Sequence, residues 1–334
     1  MTGDPRSDAP KLGLVLGAGA ARGWAHIGVL EALGELGVKP DIVCGCSSGA
    51  LVAASYVTGH LPTLAKLVSS LTWRGTLGYM DFTWSGGGLI EGRRIVRFFE
   101  NNVADIAIEN ARPTFGAVAT DLHSGRETWF TRGSIIDAVR ASIALPGLLT
   151  PLQIKDRWLV DGSLVNPIPV SLCRALGADI IIGVSLNGDL VSRSQRGLRP
   201  DLAPSPEQTK QSSWLQWLTR RDAERVQDAP PSVRLLQRTN GRPTYVEVIG
   251  QTLLVTQDFV SRVRLAADPV DVLIAPEVSH LGMMDFHRAK ESIEAGRRAT
   301  LEAKDLILRA AGTPPAELPM LEQRSDPEGG RIND

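Results

Sequence analysis

Two kinds of hydrophobic pattern alternate along the first part of the chain. Continuous apolar runs at residues 12–17 and 41–45 are short and end in glycine, which is typical of buried parallel strands. Between them, apolar side chains recur at helical spacing, and Gly37 and Pro40 follow in the order that ends a helix. A second helix is indicated from Ser48 onward. The order strand, helix, strand, helix predicts an α/β fold with a parallel sheet covered by helices.

The same alternation continues through the rest of the chain. Further strands are predicted over residues 114–122, 157–162, 179–186 and 270–278, and further helices over residues 133–144, 169–178 and 286–312. With 334 residues and 43% hydrophobic side chains, the chain can bury the core of one large domain. We therefore predict one domain over residues 11–310, a disordered tail over residues 1–10 and a frayed tail over residues 311–334.

The composition changes between residues 188 and 245. This stretch is polar with several prolines, which predicts an insertion or a long surface loop and not a second domain. Within it, Trp214 and Trp217 form an apolar cluster with two leucines, followed by Arg220 and Arg221. Aromatic side chains beside arginines suit a lipid headgroup region, so one hypothesis is a lid or a peripheral membrane contact. The alternative is an ordinary buried amphipathic turn.

Charge and cysteine content exclude several classes of function. The chain has 36 basic and 37 acidic side chains, and this balance gives no reason to expect a nucleic-acid partner. Cys44, Cys46 and Cys173 lack the spacing of a disulfide framework or a zinc site and fit a reducing compartment. No signal peptide or membrane-spanning run is recognisable. We expect a cytoplasmic protein without metal or cofactor, which contacts at most the inner face of the membrane.

A serine lies between two glycines where the second predicted strand gives way to a helix. Gly45, Ser47 and Gly49 fit the pattern G-x-S-x-G, the nucleophile elbow. The glycines lack Cβ atoms that would clash with the strand and the helix in so sharp a turn. The pattern by itself is weak, because a serine at this position is also an ordinary helix N-cap. Its position between a short apolar strand and a helix favours the catalytic interpretation.

A glycine-rich turn follows the first predicted strand. Gly17 and Gly19 match the start of a dinucleotide fingerprint, but Gly23 comes one position too late, and no Gly-Lys-Ser/Thr of a P-loop follows. These features disfavour a dinucleotide-dependent enzyme and leave an anion-binding loop of backbone amides, or a tight turn without chemistry. If the first two strands are neighbours, the loop lies next to Ser47 and its N–H groups become candidate oxyanion donors.

A serine nucleophile needs a base, and the residues offer two choices. His280 and His287 follow Ser47 and Asp161 in the order Ser…Asp…His of α/β-hydrolases, although an elbow so near the N-terminus is early for that fold. Alternatively, Asp161 acts directly, delivered by a short strand into an Asp-Gly turn at Gly162. An isolated Asp-Gly is also a common turn. The other histidines include His26 and His60, which fall in or near helices and are interpreted as packing or surface residues.

Several stretches together resemble a known family. LVLGAGAARGWAHIGVLEAL, GCSSGALVAA, ASIALPGLLTP and VDGSLVNPIPV are similar in order and spacing to the motifs of bacterial patatin-like phospholipases. The resemblance is strong over residues 11–187 and looser near the C-terminus. It implies a three-layer α/β/α fold with a mainly parallel central sheet. It also implies a lipid acyl hydrolase with a Ser–Asp dyad.

The resemblance assigns roles residue by residue. It makes Ser47 the nucleophile, Asp161 the general base, and Gly19 and Ala20 the oxyanion donors through their backbone N–H groups. Arg22 matches the basic residue of the family's loop and is expected to brace it. The implied reaction is hydrolysis of carboxylic esters of phospholipids or lysophospholipids through an acyl-enzyme. The alternatives are an esterase with a Ser-Asp-His triad, or a patatin-like module with a regulatory or binding role.

The chain departs from the family's motifs at three positions. Ala18 and Ala20 interrupt the glycine run of the first loop, so that the loop has less freedom in φ. The N–H of Ala20 is expected to donate if its dihedral angles are ordinary. Ser163 follows Asp-Gly where family members usually have glycine or alanine, and we expect this difference to be minor.

Overall fold

The structure is a computed structural model that describes residues 10–72, 88–90, 105–186 and 245–312. Trp214, Trp217 and nearly all of the predicted insertion lie outside the described residues, as do most of the two predicted tails. The proposed membrane contact through the two tryptophans therefore stays a prediction.

Strands and helices alternate through the described residues, as the hydrophobic pattern predicts. The strands are β1 Leu12–Leu16, β2 Ile42–Cys46, β3 Gly88–Ile90, β4 Thr114–Asp121, β5 Glu127–Phe130, β6 Gly147–Leu149, β7 Leu152–Ile154, β8 Arg157–Asp161, β9 Ile180–Val184 and β10 Val272–Ile274. The helices are α1 Ala25–Glu35, α2 Ser48–Val57, α3 Leu61–Ser70, α4 Ile135–Ser142, α5 Val170–Ala175, α6 Tyr245–Ala267, α7 Ala289–Glu302 and α8 Lys304–Ala310. Short 3-10 turns occupy Ala20–Trp24, Ile108–Asn110, Gly162–Leu164 and Phe286–Arg288.

Most predicted elements are present, with informative differences. The predicted C-terminal helix is a 3-10 turn followed by α7 and α8, which separate at Ala303, where φ is −89° and ψ is 3°. The helices α3 and α6 and the strands β3, β5, β6 and β7 were not predicted. The helix α6 is 23 residues long, but within the described part of the chain neither it nor another helix has the length and apolarity to cross a membrane.

The central sheet is parallel on one side and antiparallel on the other. Its strands lie in the order β10-β9-β1-β2-β4-β8-β7, and β5 also pairs with β4. The first five strands in that order are parallel neighbours. The strands β5, β7 and β8 pair antiparallel. The alternation of strands and helices predicts the parallel part of the sheet. It does not predict the direction of β5, β7 and β8.

The strands β2 and β8 approach each other along one edge of β4. The last residue of β2, Cys46, pairs with Val118 in parallel register. The last residue of β8, Asp161, pairs with Ala119 in antiparallel register. Because Ala119 also pairs with β5, that strand occupies the opposite edge of β4. The carboxyl ends of β2 and β8 therefore meet head-on, opposite adjacent residues of β4, and the residue that follows β2 is Ser47.

Helices cover both faces of the sheet. Leu14 and Leu16 of β1 belong to one apolar cluster with α1, α2, α3, α4, α7 and α8. Val15, which alternates with them, belongs to a second cluster with α5 and the C-terminal end of α6. Successive side chains of a strand point to opposite faces, so the two clusters lie on opposite sides of the sheet. The predicted three-layer α/β/α architecture is confirmed.

Candidate active site

The turn between β2 and α2 holds Ser47 in an uncommon backbone conformation. Its φ is +54° and its ψ is −125°, a combination that costs a residue with a Cβ of the order of 1–3 kcal/mol. A Cβ on Gly45 would lie 2.5 Å from the backbone of Ala50, and a Cβ on Gly49 would lie 2.1 Å from the carbonyl oxygen of Leu16. Both glycines are therefore required by close approach of the backbone, as a nucleophile elbow demands.

A buried serine on α4 holds the backbone of Ser47. The Ser47 N–H donates to Ser142 Oγ at 2.9 Å, and Ser142 Oγ donates in turn to the carbonyl oxygen of Val118 at 2.7 Å. Ser142 is completely buried. The sequence analysis did not single out Ser142, although it lies within the family-like stretch ASIALPGLLTP. Membership in that stretch is the signal that could have found it.

The structure brings Ser47 and Asp161 into direct contact. Ser47 Oγ donates to Asp161 Oδ2 at 2.6 Å. Asp161 is fully buried at the end of β8, and Thr120 Oγ1 donates to its carbonyl oxygen at 2.9 Å. A Cβ on Gly162 would lie 2.2 Å from the carbonyl oxygen of Val118, so the turn after Asp161 packs directly on β4. The serine hydroxyl and the carboxylate thus have the geometry of a proton donor and its acceptor.

Burial sets the proton affinity of Asp161. Removal of the carboxylate from water raises the pKa of Asp161 to about 6. Hydrogen bonds from the Ser47 hydroxyl, the Ser163 N–H and the Ser163 hydroxyl oppose that rise. At neutral pH the side chain remains a carboxylate, and it is a stronger base than an exposed aspartate because its pKa is higher.

Two amides of the loop after β1 have no hydrogen-bond acceptor within the part of the chain that the structure describes. Four N–H groups of the loop donate to carbonyl oxygens at 2.8 to 3.1 Å: Gly17 to Val184, Ala18 to Pro167, Ala21 to Met283 and Arg22 to Gly19. Among the described residues, no group accepts a hydrogen bond from the N–H of Gly19 or of Ala20. Unpaired N–H groups at adjacent residues are what a developing oxyanion requires. They are the two amides that the family resemblance assigns.

Ala20 does not have the ordinary dihedral angles that its expected role assumed. Its φ is +50°, in the left-handed region that costs a residue with a Cβ about 1–2 kcal/mol. The alanine at this position therefore holds its conformation at a cost in strain. The N–H of Ala20 is nevertheless unpaired within the described ranges.

The other residues of the loop pack against neighbouring elements. A Cβ on Gly23 would lie 2.1 Å from Ser48 Oγ, and a Cβ on Gly17 would lie 2.8 Å from the carbonyl oxygen of Val184. Arg22 is 3% exposed, and its carbonyl oxygen accepts a hydrogen bond from Ser292 of α7 at 2.9 Å. The loop is therefore in contact with the first turn of α2 and with α7.

The histidines occupy three different environments. His26 is fully buried, and its Nε2 donates to the carbonyl oxygen of Gly17 at 2.7 Å, so it supports the candidate oxyanion loop. Burial lowers the pKa of His26 to about 4, which keeps the ring neutral at neutral pH. His280 is exposed with its Nε2 2.7 Å from a Glu291 carboxylate oxygen, and His287 is also exposed. Neither of these two contacts Ser47.

Comparison with known proteins places the chain in a family. The family model described as patatin-like phospholipase matches residues 14–174, which include both Ser47 and Asp161. An uncharacterized NTE family protein of Mycobacterium tuberculosis is 32% identical over 340 residues, an alignment that covers 89% of this chain and 92% of the relative. Lysophospholipase NTE1 of Pyricularia oryzae is 29% identical over 299 residues, which cover 87% of this chain and 18% of that much longer protein.

A more distant likeness exists to a solved structure. Human GIVD cytosolic phospholipase A2 shares 12% sequence identity at a TM-score of 0.41, with 91% of this chain and 60% of that chain covered. A likeness at this level carries no inference about the chemistry of the site. The sequence relatives and the family model are therefore the comparisons on which membership rests.

Proposed function

The chain belongs to the patatin-like phospholipase family, and we propose that it is a serine acyl hydrolase that cleaves carboxylic esters of phospholipids or lysophospholipids through a Ser47–Asp161 dyad. The single observation that carries the proposal is the 2.6 Å hydrogen bond from Ser47 Oγ to the buried Asp161 carboxylate. Family membership supports lipid hydrolysis as the class of reaction. The dyad and the substrate are the proposal's own additions.

In the first step, Ser47 Oγ attacks the carbonyl carbon of the ester and Asp161 accepts the hydroxyl proton. The carbonyl oxygen becomes an oxyanion, which the N–H groups of Gly19 and Ala20 stabilise. Collapse of the tetrahedral intermediate breaks the bond to the leaving oxygen, and Asp161 returns the proton to that oxygen. The alcohol leaves, and the acyl group remains on Ser47.

In the second step, water repeats the sequence in reverse. Asp161 accepts a proton from the water while the water oxygen attacks the acyl carbonyl carbon. Asp161 then returns the proton to Ser47 Oγ as the fatty acid leaves. A carboxylate with a pKa near 6 is a modest base for a hydroxyl. Much of the acceleration must therefore come from the fixed position of the hydroxyl and from the preorganised amides.

The substrate class is favoured by the relatives. The Pyricularia oryzae relative is named a lysophospholipase, and this chain aligns with under a fifth of it. A single-chain lipid is therefore the first substrate to test, with diacyl phospholipids as the comparison.

The test is a hydrolysis screen with matched variants. Purified protein is incubated with lysophosphatidylcholine, diacyl phosphatidylcholine and a p-nitrophenyl ester, and fatty acid or nitrophenol release is measured. Ser47→Ala and Asp161→Asn should each lower kcat/KM by a factor of about 1,000 or more, because each removes a group that acts in every step. The double variant His280→Ala with His287→Ala is the control and should retain most activity.

Two results would overturn the proposal. A dead double-histidine variant together with an active Asp161→Asn would replace the dyad by a histidine-dependent mechanism. Absence of hydrolysis of every ester, together with no labelling of Ser47 by a fluorophosphonate, would favour a binding or regulatory module instead.

A further inference from the structure

We propose that Ser163 and Gln257 form a positioning pair that orients the Asp161 carboxylate from the side opposite Ser47. This inference rests on the proposed function, in which Asp161 is the base. Neither residue touches the ester in that mechanism, so both act through Asp161.

Ser163 supplies the carboxylate with two donors. Its backbone N–H donates to Asp161 Oδ1 at 2.8 Å, whereas Ser47 donates to Oδ2. The Ser163 hydroxyl lies near the Asp161 side chain and acts on it as a second donor, which lowers the pKa of Asp161. Ser163 is completely buried, so these bonds form in a low-dielectric surrounding where each has a larger effect than in water. A glycine or alanine, which family members usually carry at this position, would lack the hydroxyl.

Gln257 determines which way the Ser163 hydroxyl points. It lies on α6 with 4% of its surface exposed, and its Nε2 donates to Ser163 Oγ at 2.7 Å. An amide nitrogen is only a donor, so Ser163 Oγ is the acceptor of that bond. The proton of the Ser163 hydroxyl is therefore free to be directed at Asp161. The three groups form a chain of donors that ends on the carboxylate.

The helix that carries Gln257 is fastened to the turn after Asp161. Arg264 Nε donates to the carbonyl oxygen of Val165 at 3.1 Å, and the same guanidinium forms an ion pair with Glu127. The carbonyl oxygen of Gln257 accepts a hydrogen bond from Ser261 one turn later on the helix, at 2.7 Å. The helix lies beyond residues 14–174, which the family model matches. The pair thus connects Ser163, which departs from the family's motif, with Gln257, which lies outside the matched residues.

Few other ionisable groups face the Asp161 carboxylate. Cys46 of β2 is buried beside it, and burial raises the pKa of that thiol well above its ordinary value, so the thiol stays neutral. Glu127 of β5 also acts on Cys46, but its carboxylate is paired with Arg264. The donors that oppose the effect of burial on Asp161 are therefore those of Ser47 and Ser163. Removal of the Ser163 hydroxyl should make Asp161 hold its proton to a higher pH.

The experiment measures kcat/KM for a soluble p-nitrophenyl ester as a function of pH. The quantity compared is the midpoint of the acidic limb, the pH range in which kcat/KM rises as Asp161 loses its proton. Ser163→Ala should move the midpoint of that limb upward by roughly one pH unit, because one donor to a charged group is lost. Gln257→Glu should move it at least as far, because a carboxylate accepts the Ser163 proton and turns it away from Asp161. Gln257→Met should produce a smaller upward move. Ser163→Thr, which keeps the hydroxyl, should return the midpoint towards that of the parent.

The matched control is Ser261→Ala. Ser261 is a buried serine on the same helix, and its hydroxyl donates only to the helix backbone in the described contacts. Its removal should leave the midpoint unchanged. A general loosening of α6 would affect this variant as well, and it would lower the plateau of activity without moving the limb.

A second variant guards against failure to fold. Loss of one partner leaves a buried polar group unsatisfied, whereas loss of both removes the penalty. The double variant Ser163→Ala with Gln257→Leu should therefore fold even if a single variant does not, and it should show the midpoint of Ser163→Ala. Midpoints for Ser163→Ala, Gln257→Glu and the double variant within about 0.2 pH units of the parent would overturn the proposal.

A readout without activity separates this inference from the proposed function. In protein labelled with ¹³C at the aspartate Cγ, the Asp161 signal is assigned by its loss in Asp161→Asn. Its titration should move upward in Ser163→Ala whether or not the ester is hydrolysed. An inactive parent with a shifted titration would refute the function and keep the positioning pair. An active parent in which Ser163→Ala leaves the Asp161 titration unchanged would refute the positioning pair and keep the proposed function.

Discussion

The turns after β1 and β2 lie at the ends of neighbouring strands, and each holds a residue with a Cβ at positive φ. Ala20 has a φ of +50° and Ser47 a φ of +54°. The difference lies in what surrounds the strained residue. Ser47 has hydrogen-bond partners for both its N–H and its hydroxyl, from Ser142 and Asp161. The N–H of Ala20 has none among the described residues.

The same kind of backbone strain therefore serves two purposes. In the turn after β2, every polar group of Ser47 has a hydrogen-bond partner, so that the backbone conformation and these bonds together fix where the hydroxyl points. In the loop, the amides of Ala18 and Ala21 donate to carbonyl oxygens, whereas the two amides between them, those of Gly19 and Ala20, have no acceptor among the described residues. One turn fixes the proposed attacking atom, and the other leaves an amide available for the charge that the attack creates.

The groups that support the two turns titrate in opposite senses. The folded-state pKa of His26, about 4, lies below its ordinary 6.5, so the unfolded chain binds more protons and stability falls as pH falls from 6.5 to about 4. The folded-state pKa of Asp161, about 6, lies above its ordinary 3.8, so the folded chain binds more protons and stability rises as pH falls from about 6 to 3.8.

The largest expected effect on stability follows from that contrast. Between pH 7 and pH 4.5, His26→Gln should remove an acid destabilisation of about 2 to 3 kcal/mol, whereas Asp161→Asn should remove an acid stabilisation of about 2 kcal/mol. Urea denaturation at the two pH values measures both differences relative to the parent. If the free energy of unfolding had the same pH dependence in the parent and in both variants, His26 and Asp161 would not have opposite effects on stability.

A smaller effect is expected from two buried serines that support the backbone of the turns. Ser142→Ala leaves both the Ser47 N–H and the Val118 carbonyl oxygen without a partner, which should cost about 1–3 kcal/mol of unfolding free energy and roughly tenfold in kcat/KM. Ser292→Ala is the matched variant at the loop. It removes one donor to the Arg22 carbonyl oxygen and should cost about 1 kcal/mol with less effect on activity. Equal losses of activity would contradict the distinction.

The smallest effect concerns the strain itself. Ala20→Gly should stabilise the protein by about 0.5–1 kcal/mol, because relief at positive φ exceeds the added entropy of the unfolded chain. Ser47→Gly should likewise be more stable than Ser47→Ala by about 1 kcal/mol or more. Thermal unfolding of the three variants measures both differences. Alanine and glycine variants of equal stability would mean that neither turn is strained.

The half of the fold around β1 and β2 could be predicted from the sequence because its signals are local. Short apolar runs ending in glycine mark buried strands, and the spacing of Gly45 and Gly49 predicts the sharp turn at Ser47. The direction of β8 could not be predicted, because an apolar run has the same pattern in either direction. The helix α6 was missed because Val255 and Phe259 are exposed on it, which obscures the amphipathic period.

The candidate site divides in the same way. Ser47 and the loop residues are recognisable from local motifs, and Asp161 is chosen over the histidines through the family resemblance. Ser142 and Gln257 reach the site from 95 and 94 residues away along the chain. No periodicity or motif connects residues at such separations, so only the folded chain shows that Ser142 accepts from the Ser47 N–H and that Gln257 is bonded to Ser163.

Because the carboxyl ends of β2 and β8 meet along β4, their pairing with β4 sets the distance between the two residues of the proposed dyad. Because Cys46 and Asp161 pair with adjacent residues of one strand, the distance between the two strand ends corresponds to about one backbone repeat of 3.4 Å. The number of residues between the two strands in the sequence does not affect this distance. Foreign residues added at the exposed turn 155–156, between β7 and β8, should therefore leave the spacing of hydroxyl and carboxylate unchanged, which makes that turn a natural position for domain insertion.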